Sequence, residues 1–272
     1  AQLIEPKAIT MDTNGKVYVG DGPMVRQFTA SGEIGRYAGI GSSSTAFEDI
    51  GDFGLAKEAA FGGVDAVLWG TAPNDEVSKL LVLDGATGRL RQVFVEGEDT
   101  LIQTLVGEVY AQGDGSLSSA SLEGPRSILL LSSDEAQDVY WISDNRQSDS
   151  AAGRIRALVL DKTQEGEDVL TTAVGYAGGY DLSAEEHPQF VPVEQSRMFF
   201  GARGLAYDSV TEAIYIAESD GHSLRCVDLD QEGGYAISTV AGGYGEAGFD
   251  NIAPLPSETY FNSPSGLALD IN

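Results

Sequence analysis

The chain has 272 residues, 42% of them hydrophobic, and carries 42 acidic side chains against 16 Lys and Arg, a formal net charge of −26. A field of that sign repels nucleic acid and anionic membrane surfaces, which excludes nucleic-acid binding and favours basic or cation-bridged partners. No apolar run is long enough to cross a bilayer, and the single cysteine, Cys226, leaves no intrachain disulfide. The chain opens Ala1-Gln2 rather than on Met, so a processed leader or an upstream segment is expected, and a secreted or extracellular setting is favoured over the cytoplasm.

Strand signals recur from end to end: short runs of β-branched, aromatic and aliphatic residues bounded by Gly, Asp, Asn or Ser. The first four are predicted at 7–12, 16–20, 24–29 and 34–38, with Asn14-Gly15 as a tight turn. The next four fall at 66–69, 79–83, 89–95 and 101–106, and four more at 127–131, 138–143, 154–160 and 169–174. The last four fall at 204–208, 213–217, 223–228 and 236–241.

Two markers hold one period. A hydrophobic-Arg-x-hydrophobic step occupies the third strand of each unit, at Arg26, Arg91, Arg156 and Arg225, with spacings of 65, 65 and 69 residues. A glycine closes each fourth strand, at Gly39, Gly107, Gly175 and Gly242, with spacings of 68, 68 and 67. Connections this short allow only antiparallel pairing of neighbours, so each unit is a four-stranded meander. Four such units with almost no helical pattern predict an all-β chain, a β-propeller of four-stranded antiparallel blades at about 6–63, 64–125, 126–203 and 204–263. Residues 264–272 repeat the opening of the first strand, so the four blades are expected to belong to a larger ring continued by further blades or domains.

These residues carry a family resemblance. The pattern Pro264-x-Gly266-Leu267-Ala268-x-Asp270, the strand ending Ala217-Glu218-Ser219, then Gly221-His222-Ser223-Leu224-Arg225 and Thr239-Val240-Ala241-Gly242-Gly243 resemble NHL-repeat β-propellers. The segments 51–61 and 112–125 are similar to the linkers between such repeats. The second unit lacks the Pro-x-Gly-Leu-Ala start, and the third linker carries an insertion, Asp181 to Arg197. The resemblance implies about six blades in the commonest members. It also implies a structural blade-corner role for His222. Amidating-lyase propellers to which the resemblance extends use several zinc-ligating histidines, and His187 and His222 are too few to share that chemistry.

The remaining chemistry is sparse. Glu185, Glu186 and His187 could be drawn as metal ligands, yet adjacent residues diverge and a solvated loop is the better reading. The four register arginines could form a ligand-binding row, but repeated side chains on third strands more often stack or pair between blades. Cys226, inside a strand, reads as a small core residue. Asp228-Leu229-Asp230 resembles the start of a calcium loop, but Thr239 stands where the closing Glu is needed, so a turn is expected. Asp12, Asp208 and Asp270 end first strands and should bond the backbone of the following turn.

Strand alternation puts the fourth-to-first connections 39–63, 107–126, 175–203 and 242–264 on one face, together with the second-to-third connection 143–153. The expected function is non-catalytic recognition of a protein, peptide or glycan through an acidic rim of Glu48, Asp49, Asp52, Glu58, Asp181, Glu185, Glu186 and Glu194. No catalytic residue and no cofactor is expected, with calcium the one cation the acidic composition would admit. Two rivals stand beside it: a metal-dependent hydrolase or lactonase-type propeller with a cation in the central channel, and a structural module of a larger assembly.

Overall fold

The computed structural model describes residues 2–44, 50–70, 79–107, 113–145, 153–163, 165–175, 201–229, 236–242, 247–249, 256 and 259–270, and the backbone of 190–192. The first sheet is β1 (Pro6–Met11), β2 (Val17–Asp21), β3 (Val25–Phe28) and β4 (Ile34–Ala38); the second is β5 (Val64–Gly70), β6 (Lys79–Asp84), β7 (Arg89–Glu96) and β8 (Asp99–Val106). The third holds β10 (Pro125–Ser133), β11 (Gln137–Asn145), β12 (Gly153–Asp161) and β13 (Val169–Val174), extended at its outer edge by β9 (Gly115–Ser116). The fourth holds β15 (Ala202–Asp208), β16 (Ala213–Glu218), β17 (Ser223–Asp228) and β18 (Ala236–Ala241), extended by β14 (Phe190–Pro192). A 3-10 turn at Ala56–Glu58 interrupts the first long connection.

The sixteen strands expected in the four sheets are all present within two residues of their expected bounds, and each sheet runs in sequence order as an antiparallel meander, whereas residues 264–270, expected to open a further blade, form no strand. The chain is all-β, with the four-stranded antiparallel blades of a β-propeller. The two additional edge strands were not expected. Both come from long connections and pair antiparallel with a fourth strand, Leu170 opposite Gly115 and Ile237 opposite Val191, covering an edge that would otherwise offer free ladder groups. Insertion residues 190–192 thus end as sheet.

The chain divides into two compact units, Ala1–Tyr140 with Leu158–Thr171, and Trp141–Ala157 with Thr172–Asn272. In the first, Tyr18, Val25 and Ala38 of the first sheet pack against Val64, Val67, Leu80, Val82, Val93 and Ile102 of the second. Ala56, Ala59 and Phe61 of the connection are plugged into the same cluster. Each of the larger apolar side chains among them contributes about 1.5–3 kcal/mol on burial. Burial on both faces is why β6 is apolar along its length rather than alternating.

The glycine marker has a steric cause. Gly39, Gly107, Gly175 and Gly242 all lie at φ between 93° and 100°. Each also sits against the backbone that opens the neighbouring third strand, so that a Cβ would lie 2.4 Å from the Gly88 carbonyl oxygen at Gly107 and 2.4 Å from that of His222 at Gly242. An L side chain fails there on both counts.

Candidate functional site

Four buried carboxylates, three of them paired with register arginines, had no place in the sequence reading. Asp21, Asp84, Asp144 and Glu218 each stand at or next to the end of a second strand and are at most 1% exposed. Asp21 Oδ1 accepts the backbone N–H groups of Ile4 and Glu5, and Asp84 accepts those of Gly62 and Gly63. Each of these two acids therefore caps the chain as it enters the first strand of its own sheet. Toward the third strand the buried acids meet the register arginines. Arg156 Nη1 lies 3.4 Å from Asp144 Oδ2, which also holds Arg154 at 3.0 Å, and Arg225 lies 3.8 Å from Glu218. Arg26 lies 3.7 Å from Asp21. The arginines are structural, as expected, but three of them pair inside their own blade rather than between blades. Burial pushes the Asp84 carboxyl above the usual range, against its two backbone donors, Thr87 and Arg91.

Other hydrogen bonds join the corners of the sheets to strand entries. Val64 N–H donates to the Gly22 carbonyl, Gly85 N–H to Gly63, Asn145 Nδ2 to Ala202, and Ser219 Oγ to Pro264. Second-to-third corners thus touch first-strand entries, sheet after sheet. His222, at one such corner, accepts the Ser263 N–H on Nδ1, the structural role the repeat suggested. Asp12 and Asp208 cap the turns that follow them, as Asx residues. Cys226 is half-buried, and burial raises its thiol pKa, which disfavours the nucleophilic thiolate.

The connection between the first two blades is tied down by the second sheet. Arg91, fully buried on β7, donates Nη1 to the Ala60 carbonyl at 2.8 Å and Nη2 to the Ile50 carbonyl at 3.1 Å. The same Nη2 lies 2.7 Å from Asp52 Oδ1, and the guanidinium carbon sits 5.0 Å from the centre of the Phe61 ring. From outside, Phe53 N–H donates to Ile102 and Ile102 N–H donates back to Gly54, docking the turn onto β8. Between these anchors Phe53 is 74% exposed at φ +59°. A bulky side chain in the left-handed region is strained, and strain of that kind collects at ligand clamps.

Of the expected acidic rim, Asp52 and Glu58 are described. Asp52 is a brace, 19% exposed and committed to Arg91, while Glu58 is exposed on the 3-10 turn. Glu48, Asp49, Asp181, Glu185, Glu186 and Glu194 lie outside the described residues, as does His187; the turn after Asp228 does so in large part. Among the described residues no cluster of three or more His, Cys, Asp or Glu is placed to hold a metal ion. No helix among them is long and apolar enough to cross a membrane.

Likeness to known proteins lies in the fold rather than the sequence. No protein-family model matches the chain, and no curated protein matches it in sequence. Solved structures do. A protein of unknown function from Bacteroides thetaiotaomicron superposes with a TM-score of 0.50 at 19% identity, over 98% of this chain and 64% of its own. An auxiliary nutrient binding protein from the same organism gives 0.50 at 12% identity, over 99% and 65%. The likeness is one of fold. This chain spans under two thirds of the length of either relative.

Proposed function

We propose that the protein is a non-catalytic recognition propeller of the NHL type, binding a small nutrient-like molecule, peptide or glycan through the face that carries its fourth-to-first connections. The observation that carries this reading is the braced turn at Phe53. Three bonds from Arg91 and two backbone bonds to Ile102 hold a connection that then presents an exposed, strained aromatic ring. A loop ordered before binding loses little entropy on binding, and aromatic side chains are the usual anchors of recognition surfaces. The nutrient-binding role of one structural relative supports the same direction. The acidic side chains of the same connections, with Glu58 among them, favour a ligand that is basic or bridged by a cation.

The test is a panel of soluble glycans, peptides and small nutrients titrated into the wild-type protein and the Phe53→Ala variant. The reading expects at least one saturable ligand and an affinity about tenfold or more lower in the variant, the usual cost of losing an aromatic anchor. A ligand bound equally by both proteins, or turned over by the wild type, would overturn it.

A further inference from the structure

A second constellation lies on the first strands. In three of the four sheets the first strand is bulged immediately after its opening residue, between Pro6 and Ala8, Val64 and Ala66, and Ala202 and Leu205. Bulges re-aim side chains, and the residues they hold here include Lys7, Asp65 and Arg203. Arg126 occupies the same second place on β10. Three of these four positions are basic in a chain where acids outnumber bases 42 to 16. That bias is opposite to the composition and repeats at one place in the fold.

In the first unit the three side chains meet. Asp65 Oδ1 lies 2.9 Å from Lys7 Nζ, and its Oδ2 lies 2.8 Å from Arg126 Nη1. Asp65 is seated by a missing side chain, since a Cβ on Gly85 would fall 1.9 Å from its Oδ2. Its side chain is 8% exposed, whereas those of Lys7 and Arg126 are 37% and 33% exposed and open to a ligand. Burial works to lower the Lys7 pKa, but Asp65 and Glu5 together raise it, so the ammonium stays charged. Glu5 lies 3.2 Å from Lys7 at 62% exposure, where water weakens the attraction.

Asp65 joins β5 to both neighbouring first strands, to Lys7 on β1 and to Arg126 on β10, and Arg126 spends a single N–H on it. Among the described residues its Nε and Nη2 have no partner. We infer that Lys7 and Arg126, oriented by Asp65, form an oxyanion site for a carboxylate, sulfate or phosphate group, the planar guanidinium fork taking two oxygens at once. Asp65 is a positioning residue. The inference rests on the recognition reading and adds a second handle on the ligand: besides the basic or cation-bridged part that meets the acidic connections, it carries an anionic group gripped at the first strands, inside a field that otherwise repels anions, which makes the site selective rather than merely sticky.

The probes are inorganic sulfate, inorganic phosphate and D-glucuronate, each titrated calorimetrically at low ionic strength into wild type, Arg126→Lys, Arg126→Ala and, as a control, Arg36→Ala. Arg126→Lys keeps the charge next to Asp65, so a folding defect does not obscure the result. Saturable binding of at least one probe is expected in wild type and Arg36→Ala, about tenfold weaker in Arg126→Lys and absent in Arg126→Ala. Binding of glucuronate alone assigns the site to organic carboxylates, and binding of sulfate or phosphate assigns it to the inorganic type of oxyanion. Wild type that binds no probe, Arg126→Lys that binds as wild type does, or equal loss in Arg36→Ala would overturn the inference. A wild-type protein that takes a neutral ligand at Phe53 but no oxyanion refutes this site and leaves the recognition reading standing.

Discussion

Arg91 and Arg26 occupy the same repeat position on the third strands of the first two sheets and do different work. Arg91 is fully buried and delivers three short bonds to the connection 50–61. Arg26 reaches the Gly35 carbonyl at 3.3 Å, Met24 Sδ at 3.8 Å and Asp21 at 3.7 Å, with its side chain 14% exposed. The repeat supplies a cation at one place in each blade. What that cation is worth depends on whether a connection lies over it. A connection is stiffened where the two coincide.

The largest expected effect breaks that contrast directly. Arg91→Ala leaves Asp52 without its cation and two loop carbonyls, those of Ile50 and Ala60, without their donor, at about 3–5 kcal/mol. Arg26→Ala should cost less, about 1–2 kcal/mol, because its contacts are long and the buried Asp21 beneath it keeps the amides of Ile4 and Glu5 as donors. Urea midpoints of the two variants measure both, and equal losses would erase the distinction.

Asp84 gives the next effect. Its folded-state pKa is raised, so between the ordinary aspartate value and the raised one the folded protein holds a proton that the unfolded chain has released. Its contribution is therefore fully present below that window and falls as pH rises through it, by about 1.4 kcal/mol for every tenfold difference in proton affinity between the folded and unfolded states. Melting temperatures of wild type and Asp84→Asn across pH 3 to 8 (roughly the span in which a raised carboxyl titrates) should diverge with that sign. A pH-independent difference would show that the buried carboxyl does not titrate differently in the two states.

Phe53→Gly sharpens the comparison from the loop side. Removing an exposed side chain from a left-handed residue should stabilise the fold by about 0.5–1 kcal/mol, strain relief exceeding the added chain entropy. The same variant should lose ligand affinity, and stabilisation without loss of binding would mean that the strain serves nothing. The smallest effect expected is that of calcium. Millimolar calcium should move the melting temperature no more than magnesium does, and a large calcium-specific rise would favour a channel-metal chemistry instead.

The blades are legible because sterics write them into the sequence twice. A glycine that must be left-handed under a crowding carbonyl, and an arginine that must meet a buried acid or a crossing loop, both keep the period. The acids themselves are not legible. Asp21 or Asp84 after an apolar strand looks like the start of a turn, and only the fold shows it turned inward onto the amides of Glu5 or Gly63. The bulges at Lys7 and Asp65 are one-residue irregularities that leave no compositional trace. Phe53 reads as linker, and Asp52 as a rim carboxylate, because nothing local reveals that Ile102 and Arg91 reach them from a different strand each.

Hydrogen exchange over residues 50–61 and 99–106 tests the central claim, that Arg91 makes the first connection a rigid platform. The amides of Phe53 and Ile102 are predicted to be protected in the wild type as well as those of β7. In Arg91→Ala, protection across 50–61 should be lost while that of the fourth sheet is kept. Exchange of the Phe53 and Ile102 amides at the rate of an unstructured chain in the wild type would contradict it.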